Sequence, residues 1–384
     1  MRRLRVVYWN NIPSPYMVDR FNAVADRGIV DFEAWFSTRT EPERSWAVDE
    51  TRWRFRYRYL RGVGLGERRL EVPVGLLGRR RPDLLVSLYA SPSFLAGRYL
   101  ARLGGTKAAF WVETTFDAWV PRRSWKEAVK RAVFPSMDGI ITVGEDGRKF
   151  AERYGAPADR IFFAPHVIDV DRFAQAAGAA RTHRESIRRR LGVTGCTFVY
   201  VGRLWERGKG LDHLLNAFAA VSRRADQPVT LLLVGDGPDE GRLRDRVADL
   251  AVPNVVFAGF RPADDLPEIY AASDVFVFPT LGDPYGLVLD EAMACALPLI
   301  SSSAAGELNL RIREGRNGLI VPPADPVALA AAMSELAGDR ARRLRLGAES
   351  RQMVEGRTPA RWAEDFETAV HEILMRDVQR GTTP

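Results

Sequence analysis

The stretch Val199-Tyr-Val-Gly-Arg-Leu-Trp-Glu-Arg-Gly-Lys-Gly-Leu-Asp212 decides how the chain folds. An apolar run from Phe198 stops at Val201, glycines interrupt at Gly202, Gly208 and Gly210, and helical spacing begins near Leu211. A buried strand that empties into a glycine loop and then a helix is half of a parallel βαβ unit. The same grammar repeats outward. Strand-like runs fall at Val229–Val234, Val255–Ala258, Val275–Phe278 and Leu299–Ser301, with helical stretches at Leu211–Arg224, Glu240–Leu250 and Pro326–Ala337. Toward the N-terminus further runs fall at Leu4–Trp9, Phe32–Phe36, Leu84–Leu88, Ala108–Val112 and Gly139–Val143. Two such series predict an α/β chain of two doubly wound parallel-sheet domains. The polar stretch Ala174–Arg190 reads as the linker, giving domains of 1–184 and 185–357, with an amphipathic terminal helix in 358–384.

Ligands of open α/β sheets sit at the carboxyl ends of the strands, and helix N-termini favour anions. The loop after Val201 adds two cations at that place, Arg203 and Lys209. The chain holds 51 arginines and 5 lysines, and Lys209 is the only lysine between residues 150 and 384. A compact ammonium kept where arginine is otherwise the rule suits a pyrophosphate grip. The alternative is a chance surface lysine. The Gly-x4-Gly-Lys-Ser/Thr spacing of a P-loop is absent.

A second loop follows the run ending at Phe278. In Asp283-Pro-Tyr-Gly-Leu-Val-Leu-Asp-Glu291, Asp283 before Pro284 reads as a helix N-cap with proline at the first helical position. Along such a helix Asp283 and Glu291 stand ~12 Å apart. That is too far for paired carboxylates acting on one glycosidic bond. It suits the two ends of one elongated ligand.

Composition narrows the class. The chain has 384 residues, 46% hydrophobic and 27% charged, enough for a core without staples. Two cysteines, Cys196 and Cys295, exclude a disulfide framework, and four scattered histidines argue against a dedicated metal site. No apolar run approaches the ~18 residues of a membrane span, and the N-terminal one is too short for a signal peptide, so a cytoplasmic protein is expected.

The net charge of +7 is uneven. Residues 1–184 carry 32 Lys+Arg against 21 Asp+Glu, or +11; the remainder carries 24 against 28, or −4. Two segments concentrate it. Arg52-Trp-Arg-Phe-Arg-Tyr-Arg-Tyr59 alternates arginine and aromatic, as in a half-buried edge strand with a solvated basic face, or a basic face near an anionic acceptor. Pro121–Phe134 sets Trp125, Val129, Ala132 and Val133 among cations, a make-up shared by helices on membrane surfaces and helices packed on sheets.

Together these segments resemble the donor site of the retaining glycosyltransferases of family 4, which have the GT-B fold of two Rossmann-like domains facing across a cleft. The family's Gly-Arg…Lys-Gly is matched by Gly202-Arg203…Lys209-Gly210, and its Glu-x7-Glu motif by Asp283-Pro-Tyr-Gly-Leu…Glu291-Ala. Leu233–Pro238, Val255–Phe260, Tyr270–Pro279 and Asn317–Pro323 match in family order. Four departures stand out, and all but the first lie on the acceptor side. Asp283 is one methylene shorter than the family's glutamate, Glu113 stands where many members have a histidine, His166 replaces the usual Asn-Gly, and Asn10–Tyr16 replaces a glycine-rich loop.

The resemblance implies sugar transfer from a nucleotide-diphosphate sugar, with retention of configuration and with neither metal nor cofactor. It implies that Arg203 and Lys209 neutralise the diphosphate, that Asp283 holds sugar hydroxyls and Glu291 the ribose, and that the Gly286 and Leu287 amides bind the diphosphate–sugar end. It places Phe260 and Arg261 at the base and Glu206 between the two cations, orienting them. Gly202 belongs to the donor loop; Glu113 faces the reacting sugar; Ser14, Tyr16 and His166 lie toward the acceptor. The acceptor is expected to be a saccharide or lipid-linked, at the inner face of an anionic membrane, with no nucleic-acid partner. Two rivals differ in kind: an epimerase on the same fold, which would turn over without acceptor, and a non-enzymatic anionic-surface binder, which leaves Lys209, Asp283 and Glu291 unexplained.

Overall fold

The computed structural model describes residues 2–40, 48–65, 68–71, 76, 81–88, 91–114 and 124–380. Two compact units result. The first runs to Val167 and includes the terminal helix Pro359–Arg380; the second spans Ile168–Thr358.

The first unit is built on a seven-stranded parallel sheet. Its strands are β1 (Arg5–Asn10), β2 (Asp31–Phe36), β3 (Arg56–Tyr59), β6 (Leu84–Ser87), β7 (Lys107–Val112), β8 (Gly139–Thr142) and β9 (Ile161–Phe163), in the order β3-β2-β1-β6-β7-β8-β9. A separate antiparallel pair, β4 (Gly62–Leu65) and β5 (Arg68–Glu71), lies between β3 and β6 in sequence. The order reverses between β1 and β6. The helix Pro15–Arg27, which follows β1, packs with the terminal helix; Arg27 bonds Glu367 at 2.7 Å and Glu364 at 3.0 Å.

The alternating segment forms a shorter strand than its pattern suggests, β3 alone, because Glu50–Arg52 closes a one-turn helix capped by Asp49. Three of its four arginines are matched by carboxylates. Arg54 forks onto Asp26 at 2.8 and 2.6 Å, Arg56 pairs with Asp31, and Arg58 bonds Glu33 at 2.5 Å, a carboxylate it shares with Arg5. Much of that basic face is therefore paired within the unit.

The second unit holds a six-stranded parallel sheet: β10 (Cys196–Val201), β11 (Val229–Val234), β12 (Val255–Gly259), β13 (Val275–Phe278), β14 (Leu299–Ser302) and β15 (Gly318–Val321), ordered β12-β11-β10-β13-β14-β15. Here the order reverses between β10 and β13. The helix Leu211–Arg224 buries Leu211, Leu214, Leu215, Phe218 and Val221 against this sheet. Each such side chain contributes roughly 1.5–3 kcal/mol, and Phe218→Ala would cost roughly 3–5 kcal/mol.

The unit boundary lies before the expected linker. Helices Val170–Arg181 and Arg184–Leu191 are elements of the second unit, where both pack on the helix Leu266–Ala272. Arg188 secures the second of them with bonds to the Ala272 carbonyl at 2.8 Å and the Gly195 carbonyl at 2.6 Å. Their arginine-rich polarity reads as a linker, but it serves these buried carbonyl contacts.

Candidate functional site

Two loops leave adjacent strands at the reversal of the second sheet, one after β10 and one after β13. This is where open α/β sheets open a crevice. Gly202 turns the first loop at φ +153°, and a Cβ there would meet the Tyr200 hydroxyl at 2.8 Å. Residues Glu206–Lys209 form a single helical turn, closed by the Lys209 amide donating to the Trp205 carbonyl at 3.1 Å. That turn directs Lys209 onto the Asp283 carboxylate, and the two form a direct ion pair. Lys209 Nζ also lies 5.7 Å from the Phe278 ring centroid. Burial pushes the Asp283 carboxyl up, but the Lys209 ammonium, the Tyr285 amide and Arg311 outweigh it and hold the group below its ordinary value. Arg203 is half-buried, and its carbonyl accepts from the Tyr200 hydroxyl at 3.0 Å.

Two local expectations are corrected. Asp283 is no helix cap: the helix is Val288–Ala294, with Leu287 at its N-cap. The Asp283 side chain instead accepts from the Tyr285 amide at 3.0 Å, an Asx turn, and its carbonyl accepts from Gly306 N at 2.8 Å. The two carboxylates of the motif are therefore not carried on one helix, and the ~12 Å helical spacing does not apply. Glu206 has a bond that spacing did not suggest. Its carboxylate accepts from the Asp212 amide at 2.7 Å, capping the helix Leu211–Arg224. Burial raises its pKa to about 7.

Gly286 lies at φ +78°, where a Cβ would meet the Phe278 ring at 2.8 Å. Beneath it runs a residue that the sequence reading missed. Arg311 has no exposure and donates to the Gly286 carbonyl at 3.1 Å and to the Gly306 carbonyl, so one guanidinium fastens the loop after β13 to the loop after β14 beside Asp283. It also stacks 4.0 Å from the Tyr285 ring centroid. Glu291 is fully buried, and Tyr270, also missed, donates its hydroxyl to that carboxylate at 2.6 Å. Phe260 and Arg261 follow β12 on the surface.

In the first unit Glu113 follows β7 and His166 follows β9, and the fold brings them together. His166 Nε2 donates to Glu113 Oε1 at 2.9 Å. On the opposite ring nitrogen, Nδ1, His166 meets Arg20. A guanidinium only donates, so Nδ1 accepts and the ring proton sits on Nε2. Arg20 is buried between two indoles, 5.7 Å from Trp111 and 5.2 Å from Trp362. Burial pushes the Glu113 carboxyl up; His166 and then Arg20 outweigh it, and the group is held below its ordinary value. Ser14 is the N-cap of Pro15–Arg27, where its carbonyl accepts from the Met17 amide at 3.0 Å. The Tyr16 carbonyl accepts from Arg20 Nε at 3.3 Å. Among the described residues no helix is long and apolar enough to cross a membrane.

The chain is similar to known proteins in sequence and in fold. Residues 195–339 match the family described as glycosyl transferases group 1. A D-inositol 3-phosphate glycosyltransferase from Acidothermus cellulolyticus is 34% identical over 216 residues, 53% of this chain and 46% of that protein. A GDP-mannose-dependent alpha-(1-6)-phosphatidylinositol monomannoside mannosyltransferase from Mycobacterium tuberculosis is 34% identical over 247 residues, 62% of this chain and 61% of that protein. The chain thus spans about half the length of the curated relatives it matches. The crystal structure of Anabaena Alr3699/HepE in complex with UDP superposes with a TM-score of 0.77, covering 96% of this chain and all of that one at 16% identity. At that identity the likeness shows the fold, GT-B, as the family 4 resemblance implied.

Proposed function

We propose, from the premise that residues 195–339 are a glycosyl transferases group 1 domain, that the chain transfers a sugar from a nucleotide-diphosphate sugar to a saccharide or lipid-linked acceptor, with retention and without a metal. The observation that carries this reading is the Lys209–Asp283 ion pair at the point where the sheet order reverses. An ammonium held by one carboxylate, in a loop that also carries Arg203, is an electrostatic grip for a leaving diphosphate. Transition-state charge is stabilised by groups already in place. Asp283 then serves twice, fixing Lys209 and accepting from sugar hydroxyls. The Gly286 and Leu287 amides take the diphosphate–sugar end, and Phe260 with Arg261 takes the base.

Glu291 is assigned to the ribose, and Tyr270 sets the direction of its carboxylate. On the acceptor side Glu113, held ionised by His166, faces the reacting sugar. Front-face attack by the acceptor hydroxyl passes its proton to the departing phosphate, so the protein need not supply a nucleophile. Attachment to the inner face of an anionic membrane belongs to the same proposal, supported by the +11 charge of residues 1–184.

The test is mass spectrometry of the intact protein against a panel of nucleotide sugars that includes GDP-mannose and UDP-glucose. These cover the GDP-mannose dependence named for the mycobacterial relative and the UDP-glucose bound in a second Anabaena structure with a TM-score of 0.73. Binding of one donor, lost in Lys209→Ala, supports the assignment. No donor bound by the wild-type protein would end it. Turnover of donor sugar to its epimer without acceptor would replace transfer with epimerisation.

A further inference from the structure

The outer edge of the first sheet carries a cavity that the donor and acceptor assignments leave unused. It has a volume of about 500 Å³ and is lined by Ser37, Thr38, Arg39, Glu50, Tyr57 and Tyr59. Ser37 to Arg39 leave the carboxyl end of β2, and the two tyrosines come from β3. One wall is tied to the chain leaving β1, since the Ser37 amide donates to the Asn10 carbonyl at 3.0 Å and the Thr38 amide to the Asn11 carbonyl at 2.8 Å.

The centre of the cavity is Glu50. It accepts from Arg39 Nε at 2.7 Å, from the Tyr57 hydroxyl at 2.7 Å and from the Tyr59 hydroxyl at 2.9 Å. Arg39 reaches it through a second nitrogen at 2.7 Å as well. Sequence offers a plainer reason for these residues, an edge strand covered by its own turn. That reason accounts for Tyr59, which packs on Phe36. Tyr57 packs as well, edge-on to Trp53 at 4.5 Å, yet it still leaves 37% of its surface in solvent beside an oriented ion pair.

The ion pair defines what the cavity would hold. One arginine and one glutamate cancel, so the lining has no net charge and gives an anion no advantage. The four donors bonded to Glu50 fill the about four lone-pair sites of its carboxylate, but the guanidinium keeps N–H donors and each tyrosine hydroxyl oxygen, having given its proton to Glu50, can still accept from a hydroxyl group. The Tyr57 ring supplies an apolar face next to them. A surface that pairs an aromatic face with fixed donors and an acceptor complements a pyranose, whose C–H face and hydroxyl rim point in different directions.

We propose that this cavity is a saccharide-binding subsite for a neutral sugar of the acceptor, separate from the donor site. Naming its occupant as acceptor rests on the transferase reading; binding of the sugar does not. Tyr57 forms the stacking face, Arg39 and the two tyrosine hydroxyl oxygens hold ring hydroxyls, Glu50 fixes all three in place, and the site passes over phosphate and carboxylate groups.

Saturation-transfer NMR on the full chain with methyl α-D-mannopyranoside and methyl α-D-glucopyranoside tests the proposal. Saturable transfer to one of them is expected, weakened about ten-fold in Tyr57→Ala and in Arg39→Ala. The melting temperature of each variant is measured alongside, so that the sugar signal is compared between folded proteins. Lys209→Ala and added UDP or GDP should leave the sugar signal unchanged. If donor binding fails but this pattern holds, the transferase reading falls and the subsite stands. No saturable transfer, wild-type binding in both cavity variants, or displacement by UDP, GDP or inorganic phosphate would each overturn it.

Discussion

His166 Nε2 lies 2.9 Å from Glu113 Oε1, and this bond joins two residues between which the described chain forms two α-helices and two strands. Arg20 closes the other side of the ring. Together they make a chain of three polar groups ending on a carboxylate. Removing the middle member takes from Glu113 the donor His166 and leaves Arg20 with one acceptor fewer. We expect His166→Ala to destabilise the protein by about 3 kcal/mol, read as a lowered urea midpoint. His166→Gln, which keeps a donor for Glu113, should recover part of that loss.

The same chain makes a pH prediction. The folded pKa of Glu113 lies below its unfolded value near 4.5. A depressed carboxylate adds stability that is present above the unfolded pKa and disappears as pH falls through the folded one. Glu113→Gln should therefore flatten the fall in melting temperature below about pH 4.5, while changing little at pH 7 beyond a constant offset. An acid limb identical to wild type would mean that Glu113 is not held by His166 and Arg20.

The opposite sign applies to Glu206, whose pKa is raised to about 7 by burial. Between 4.5 and 7 the native state binds more protons than the unfolded one, so this group costs stability increasingly as pH rises through that window. Glu206→Gln keeps an oxygen for the Asp212 amide and removes the charge. Its melting temperature should exceed wild type at pH 8 and match it near pH 5. Equal differences at both pH values would contradict the assignment.

How far the sequence led is visible in these residues. Ten strands were readable because each is a run rich in Val, Leu, Ile and aromatics, and their observed limits differ from the reading by at most two residues; β9 and β15, of three and four residues, were too short to stand out, and β3 is shorter than its alternating segment. Gly202, Lys209 and Asp283 were readable because loop chemistry is local. Arg20 was not: its partner His166 lies 146 residues away, so the contact is made by the tertiary fold and leaves no local signal. Arg311 was hidden for another reason. Within Leu308-Asn-Leu-Arg-Ile312 it reads as a surface residue, because a buried arginine is betrayed only by the carbonyls it meets, here Gly286 and Gly306. Asp283 misled because Asp-Pro serves helix caps and Asx turns alike.

Lys209 should be tested with its partner in view. Lys209→Ala strands Asp283 as a buried carboxylate, so it should lose nucleoside-diphosphate affinity and also about 3 kcal/mol of stability. Lys209→Ala with Asp283→Asn should restore the stability without restoring the affinity. Arg203→Ala should weaken the same ligand, and the Arg203/Lys209 double variant should lose less than the sum, since both act on one diphosphate. A nucleoside-diphosphate dissociation constant unchanged in Lys209→Ala would remove it from the donor site. Activity should survive EDTA; loss reversed by Mn²⁺ or Mg²⁺ would refute a grip made of side chains alone.

The membrane proposal narrows to part of one helix. Of the cations first suggested by sequence, Arg122 and Arg123 lie outside the described residues. The helix Ser124–Val133 buries none of its residues and leaves Trp125 51% exposed. Lys130 is already engaged, with Glu127 at 3.0 Å and the Tyr154 ring centroid at 4.8 Å. Lys126 lies 5.7 Å from the Trp125 ring centroid, so an indole and an ammonium face solvent together. Such a pair sits well at a lipid headgroup boundary, with ring and cation both satisfied. Attraction of this kind is screened beyond ~8 Å at physiological ionic strength. Binding to phosphatidylglycerol vesicles should therefore be strong at low salt and fall steeply as salt is added, while nucleotide binding changes less. Trp125→Ala with Lys126→Gln should remove most of the vesicle binding, and Lys130→Gln should remove little. Wild-type protein that ignores these vesicles at low salt, while transferring sugar to a soluble acceptor, would leave the charge asymmetry without a membrane role.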